Sequence, residues 1–240
     1  VRCCETAVKA LSIQTPPDQQ LQDYHFSDSL NMFFINKVGK NRVIFGIMNY
    51  LAHIYLSGGN RQLQVGNFIG DFVKGRKYQD FPKGICKGIL LHREIDRFTD
   101  SHPLFLETVE LLKPSFGRYS GIIADMYFDY LLASDFRRYS HSTSLGLFAA
   151  NFYLSAILNY RWLPERVKGF IFHFIWTNRL KQYSTYEGLE YSLKIMSHYK
   201  SSAINPELSI AFLRENENIL RSRFNLFMPE AIEFVRSSAP

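Results

Sequence analysis

Carboxylates and imidazoles are rarely set among apolar helix residues, yet this chain places them there repeatedly within one stretch. Asp71 sits in Gly66-Asn67-Phe68-Ile69-Gly70-Asp71-Phe72, between apolar neighbours. His92 and Asp96 are four residues apart and have Leu91 and Ile95 beside them, so both fall on one face of a helix. Asp125 and Asp129 repeat that spacing inside Ile122-Ile123-Ala124-Asp125-Met126-Tyr127-Phe128-Asp129-Tyr130. An ionised carboxylate in such surroundings is costly without a counter-charge. Two remedies are open. One is a set of buried salt bridges to Arg93, Arg97 and Arg118; the other is a divalent metal. A mixed nitrogen and oxygen donor set suits Mn²⁺, Fe²⁺ or Zn²⁺ better than Ca²⁺, and helix bundles build metal sites from facing helices in this way.

Other reactive residue types carry less. His53, in Met48-Asn49-Tyr50-Leu51-Ala52-His53, reads by itself as a core histidine. Gly84 and Gly88 are four apart and favour close helix packing over a phosphate cradle. Asp100 reads as a helix cap and His102 as a loop residue, while His173 and His198 read as structural. Cys86 has no histidine beside it, which argues against a nucleophile. The chain contains no Gly-x-Ser-x-Gly, P-loop, dinucleotide fingerprint or Cys-x-x-Cys.

The elements that must hold these groups are helices. From Met48 onward apolar residues recur at helical spacing and strand signals are few. The pattern predicts helices over Asn49–Leu56, Gln62–Lys74, Pro82–Phe98, Leu104–Leu112, Ser120–Ala133, Ser144–Tyr160, Pro164–Lys181, Tyr186–Tyr199 and Pro206–Val235. Gly58-Gly59-Asn60 forms a turn, Asp100 or Ser101 caps the helix after it, and that helix stops before Pro114. Ile85, Ile89, Leu90 and Ile95 point inward, and Ser120–Ala133, apolar on most sides, is central. The expected fold is all-α: a single multi-helix bundle of eight or nine helices over 48–240. Residues 1–47 hold a Cys-Cys pair, a Pro-Pro turn and a polar stretch, and are expected to form a poorly ordered extension or to precede the protein's natural start.

Composition narrows the function. The 240 residues are 46% hydrophobic and 21% charged, which excludes disorder over the whole length. No run of 18 apolar residues suggests a membrane span. Three cysteines make no disulfide framework and point to a reducing, cytoplasmic setting. A net charge of +6, with no block of five basic residues, is too small for a dedicated nucleic-acid binder but suits an acidic partner or a phosphorylated substrate.

Read in order, the motifs resemble one family. Met48-Asn49-Tyr50-Leu51-Ala52-His53, Gly66-Asn67-Phe68-Ile69-Gly70-Asp71-Phe72-Val73-Lys74-Gly75 and Gly88-Ile89-Leu90-Leu91-His92-Arg93-Glu94-Ile95-Asp96-Arg97-Phe98-Thr99-Asp100 are similar to acyl carrier protein phosphodiesterases. So are Asp125-Met126-Tyr127-Phe128-Asp129 and Arg223-Phe224-Asn225-Leu226-Phe227-Met228-Pro229, so that the resemblance covers about residues 48–235. It implies an all-helical, HD-like fold distantly related to HD-domain metal phosphohydrolases. It implies removal of the 4′-phosphopantetheine arm from holo acyl carrier protein, with Mn²⁺ as the metal. It implies Asp71, His92, Asp96, Asp125 and Asp129 as metal ligands. Two positions depart from the family: Tyr130 stands where a histidine is common, and His198-Tyr199 where an arginine pair is.

The chemistry that follows is attack of water on phosphorus with the serine oxygen leaving. In that reading Asp71 and His92 are catalytic as well as ligating, His53 or His92 protonates the leaving oxygen, and Arg93 clamps the phosphate. Acyl carrier proteins are acidic. Five basic and four acidic residues precede Met48, out of 28 and 22, so the remainder carries +5. Lys74, Arg76, Lys77, Lys83 and Lys87 lie near the site in sequence and are expected to steer that partner. An HD-type phosphohydrolase of nucleotides, and a carrier-protein-binding homologue without activity, are the alternatives.

Overall fold

The computed structural model describes residues 50–199, 201 and 203–238; the extension expected at 1–47 lies outside them. Among the described residues there are α-helices and short 3-10 turns and no strand, as an all-α fold requires. The described residues belong to one unit, Val43–Pro240.

Helix α1 (Tyr50–Leu56) buries five of its seven residues. A turn follows, and Asn60 caps α2 (Arg61–Phe68) by accepting from the Leu63 amide at 3.1 Å. The helix expected to continue to Lys74 ends at Phe68, and a 3-10 turn, Gly70–Phe72, follows. Gly70 opens that turn against the His92 ring, where a Cβ would lie 2.3 Å from it, so there is room only for glycine. Helix α3 (Lys83–Ser101) buries Ile85, Ile89, Leu91, His92 and Ile95. Leu90, expected inside, is exposed, because the buried stripe runs through Leu91 and His92 instead.

Helices α2 and α3 cross with almost no separation. A Cβ on Gly66 would stand 2.1 Å from the Ile85 carbonyl oxygen, and one on Gly88 would stand 2.3 Å from that of Leu63. The close-packing reading of Gly88 therefore holds, with Gly66 as its partner across the crossing. Gly84 lies against the Gln62 side chain.

The next boundary differs from expectation. Ser101 turns its hydroxyl back to the Arg97 carbonyl at 2.9 Å, so α3 runs through Asp100 and Ser101 without either acting as a cap. His102, the single connecting residue after α3, is a loop residue as expected, but it is buried and also caps α4 (Pro103–Phe116) by accepting from the Leu104 amide at 3.3 Å. Helix α4 passes through Pro114, whose missing N–H costs one bond near the end of the helix. It stops at Gly117, at a φ of +52°.

Helix α5 (Ser120–Ser134) is buried on most sides and is central, as its composition requires. After α6 (Phe136–Tyr139), Ser144 caps α7 (Leu145–Leu158). The helix expected over Pro164–Lys181 is three short ones: α8 (Glu165–Lys168), α9 (Ile171–Trp176) and α10 (Arg179–Gln182). Gly169 and Phe170 separate the first two. Asn178, at φ +48°, separates the last two, and Tyr153 locks that break by donating to its side chain at 3.1 Å and accepting from the Leu180 amide at 3.0 Å. Helix α11 (Tyr186–Tyr199) has its expected limits. Helix α12 (Pro206–Ser238) spans 33 residues, about 50 Å at 1.5 Å per residue, and packs against α3, α4, α5 and α11. The described residues thus hold twelve α-helices where eight or nine were expected, because α8–α10 replace one and α6 is added. No described helix is long and apolar enough to cross a membrane.

Candidate metal centre

Three elements converge on one point. Helix α1 supplies His53, α3 supplies His92 and Asp96, and the 3-10 turn after α2 supplies Asp71. His53 Nε2 lies 3.2 Å from Asp96 Oδ1, and His92 Nε2 lies 3.3 Å from Asp96 Oδ2 and 3.5 Å from Asp71 Oδ1. The two imidazoles face each other with centroids 4.3 Å apart and planes 30° apart. Ligand atoms of His53, His92 and Asp96 all fall within 4.8 Å of one another. Both histidines are buried, while the Asp96 side chain is 43% exposed, so the group opens to solvent on the carboxylate side.

Burial pushes the Asp96 carboxyl up, but the His53 hydrogen bond and the charges of His53, His92 and Lys74 outweigh it, and Asp96 lies below the ordinary carboxylate range. His92 Nε2 is buried and makes no hydrogen bond, despite the carboxylates beside it. Two nitrogens and a carboxylate converging on a point where one nitrogen lacks a partner form a donor set that fits a divalent metal.

Arginine salt bridges do not supply the counter-charge. Arg97 pairs with Glu94, Arg118 contacts Tyr119, and Arg93 donates to the carbonyls of Val73 at 2.9 Å and Gly75 at 2.8 Å. Among the described residues, none of the three pairs with Asp71, Asp96, Asp125 or Asp129. Arg93, expected to clamp phosphate, also lies over the Tyr78 ring at 5.2 Å and ties down the loop after Asp71.

Asp125 and Asp129 are placed outside the three-residue group. Asp129 is fully buried and accepts from the amides of Leu51 at 3.0 Å and Ala52 at 2.8 Å, so its two oxygens hold the start of α1. Its carboxyl is pushed up to about 7 by burial, against the lowering effect of those two bonds. Asp125 lines a cavity of about 20 Å³ with His53, Thr99 and Phe128. Burial raises it well above the carboxylate range, and Asp129, Asp96, Asp100 and Asp71 add to the rise. Tyr130, at the departing position, stacks on Tyr186 with ring centroids 5.2 Å apart and donates to Glu217 at 3.4 Å.

His53, which reads by itself as a core residue and through the family resemblance as a candidate proton donor, lies in the donor group. One neighbour of that group, Asn67, was not singled out by sequence reasoning. Asn67, wholly buried on α2, accepts at Oδ1 from His53 Nδ1 (2.8 Å) and His92 Nδ1 (3.2 Å). Its Nδ2 donates to the His53 carbonyl at 2.9 Å and to Ser57 Oγ at 2.8 Å. The available signal was an uncharged carboxamide inside the apolar Gly66–Phe72 stretch, next to the glycine of the helix crossing.

Comparison with known proteins places the chain in a family. Residues 48–231 match the family model described as acyl carrier protein phosphodiesterase. The chain is 36% identical over 86 residues to an acyl carrier protein phosphodiesterase of Yersinia pestis, covering 36% of this chain and 45% of that one. It is 32% identical over 101 residues to one of Photorhabdus laumondii, covering 42% of this chain and 51% of that one. These alignments span about half the length of the relatives. A third, from Serratia proteamaculans, is 25% identical over 187 residues, 78% of this chain and 96% of the relative. No solved structure matches. The match over 48–231 takes in every residue of the converging group, and the chain belongs to the acyl carrier protein phosphodiesterase family.

Proposed function

We propose that this chain is a hydrolase that cleaves the phosphodiester between 4′-phosphopantetheine and the serine of holo acyl carrier protein. The observation that carries the reading is the donor group of His53, His92 and Asp96, with the unpartnered His92 Nε2 at its centre. His53 Nε2, His92 Nε2 and Asp96 hold the metal, and Asp71 is close enough to His92 to complete the set. Mn²⁺ suits these nitrogen and oxygen donors. A divalent metal bound there supplies acidification of water and polarisation of a phosphoryl oxygen.

The protein's own residues do the rest. Arg93 holds the Val73–Gly75 loop against α3 and so fixes Asp71 beside His92. Asp129 anchors α1 and so fixes His53. Lys74, Arg76, Lys77 and Lys83 are exposed around the Asp71 loop, where they attract an acidic partner; Lys87 is half-buried. With both histidines in the donor group, the proton for the serine oxygen comes from another source than the His53 or His92 first expected. A reducing, cytoplasmic setting fits the free thiol of Cys86.

The test is mass spectrometry of holo acyl carrier protein incubated with this chain, with and without Mn²⁺. Metal-dependent loss of the phosphopantetheine mass, abolished in His92→Ala and slowed by salt, is the expected result. An unchanged carrier protein beside folded, metal-loaded enzyme overturns the reading.

A further inference from the structure

We propose that Asn67 is a positioning residue that sets both site histidines at once: its single carboxamide holds a proton on Nδ1 of His53 and of His92 and leaves both Nε2 atoms to face the metal position. The assignment follows from hydrogen-bond direction. Ser57 Oγ donates to the His53 carbonyl at 2.8 Å, and that carbonyl can only accept. The Asn67 atom 2.9 Å from the same carbonyl must therefore be its NH₂ group. Turning the amide over would set oxygen against oxygen there. The other Asn67 atom is then the carbonyl oxygen, and it lies 2.8 Å from His53 Nδ1 and 3.2 Å from His92 Nδ1. An oxygen that can only accept requires an N–H on each of those ring nitrogens.

Every hydrogen-bonding position of Asn67 is thus used, in a site with no exposure. Histidine ligands ordinarily have a separate acceptor each behind the ring. Here one atom serves two rings that come from different helices. It can do so because the Gly66–Gly88 crossing brings α2 against α3. The role of Asn67 toward a metal rests on the function proposed above; its hold on the two Nδ1 protons does not.

The experiment uses the full chain with ¹⁵N-labelled histidine. In the metal-free wild type, both rings are expected to show a protonated Nδ1. An unprotonated Nδ1 on either ring overturns the inference, whether or not the protein binds metal or cleaves carrier protein. Mn²⁺ titration supplies the second readout. Asn67→Leu, which removes the acceptor, is expected to weaken binding about 10- to 100-fold. Asn67→Asp keeps an accepting oxygen for both rings but sets its second oxygen against the His53 carbonyl, so it is expected to keep Nδ1 protonated on both rings while losing stability. Equal Mn²⁺ affinity in Asn67→Leu and the wild type, with both proteins unfolding cooperatively, refutes the positioning role. Should Asn67→Leu not fold, the ring nitrogens of the wild type and of Asn67→Asp decide: Nδ1 protonated on both rings in both proteins supports it, and loss on either ring refutes it. A wild type that binds no Mn²⁺ sinks the proposed function and leaves the nitrogen test to stand or fall by itself.

Discussion

Replacing Gly66 by alanine puts a methyl group where the Ile85 carbonyl oxygen already stands. The new Cβ would lie 2.1 Å from that oxygen and 2.9 Å from the Gly88 Cα, against about 3.4 Å for ordinary contact. Both obstacles are backbone, so no rotamer change relieves them, and α2 and α3 must separate by about 1 Å. The Asn67–His92 bond, already 3.2 Å, would then pass out of hydrogen-bonding reach. In energy, alanine gains about 1 kcal/mol of helix propensity over glycine. Overpacking costs about 1–3 kcal/mol where side chains can adjust, and more against backbone. A net loss of about 2 kcal/mol is expected, or about 4–8 °C in Tm for a domain of this size. Gly88→Ala meets Leu63 at 2.3 Å and is expected to behave alike. Gly121→Ala, in α5 with nothing within 4 Å, is the control and is expected to gain about 0.5–1 kcal/mol. Urea unfolding in chelator followed by Mn²⁺ titration reads both effects. If Gly66→Ala and Gly88→Ala match Gly121→Ala in stability and keep wild-type affinity, the close crossing does not position the site.

Three further perturbations separate the roles of neighbouring residues. The folded protein holds a proton on Asp129 up to about pH 7, whereas the unfolded chain releases it near the ordinary 3.8. That contribution to stability is complete below about pH 4 and is lost as pH rises through 7. The stability difference between the metal-free wild type and Asp129→Asn is therefore expected to shift against the wild type across that window, and a difference flat in pH contradicts it. Arg93→Ala frees the Val73 and Gly75 carbonyls, so amide exchange in that loop is expected to rise and Mn²⁺ affinity to fall, with little change in Tm; unaltered exchange argues for a role other than tying the loop. Tyr130→Phe loses the 3.4 Å bond to Glu217 and the hydrogen bond with the Tyr186 hydroxyl and is expected to cost about 1 kcal/mol and no Mn²⁺ affinity. A large loss of affinity would place Tyr130 in the site after all.

Much of this molecule can be read from residue order. The all-helical class, the limits of Tyr186–Tyr199 and the central place of Ser120–Ser134 follow from apolar periodicity, which is a local property. The pairing of His92 with Asp96 follows from the helical repeat alone, since four residues return a side chain to the same face. Polar groups that interrupt an apolar run also mark the right neighbourhood, because such groups need a partner wherever the chain places them.

The same rule does not say which partner. Asp125 and Asp129 share the i, i+4 spacing of His92 and Asp96, yet Asp129 spends its oxygens on the amides of α1, 77 and 78 residues away in sequence. His53 looked like a lone core histidine because its companions, Asn67, His92 and Asp96, come from α2 and α3. Nothing local reveals that two loop carbonyls stand opposite Arg93. Periodicity reports which side of an element faces inward. The identity of the facing atom depends on how closely two elements approach, and here the contact of Gly66 with Ile85 and Gly88 sets that distance. Residue types and helices were thus determined locally; which nitrogen meets which oxygen was decided only when the helices packed.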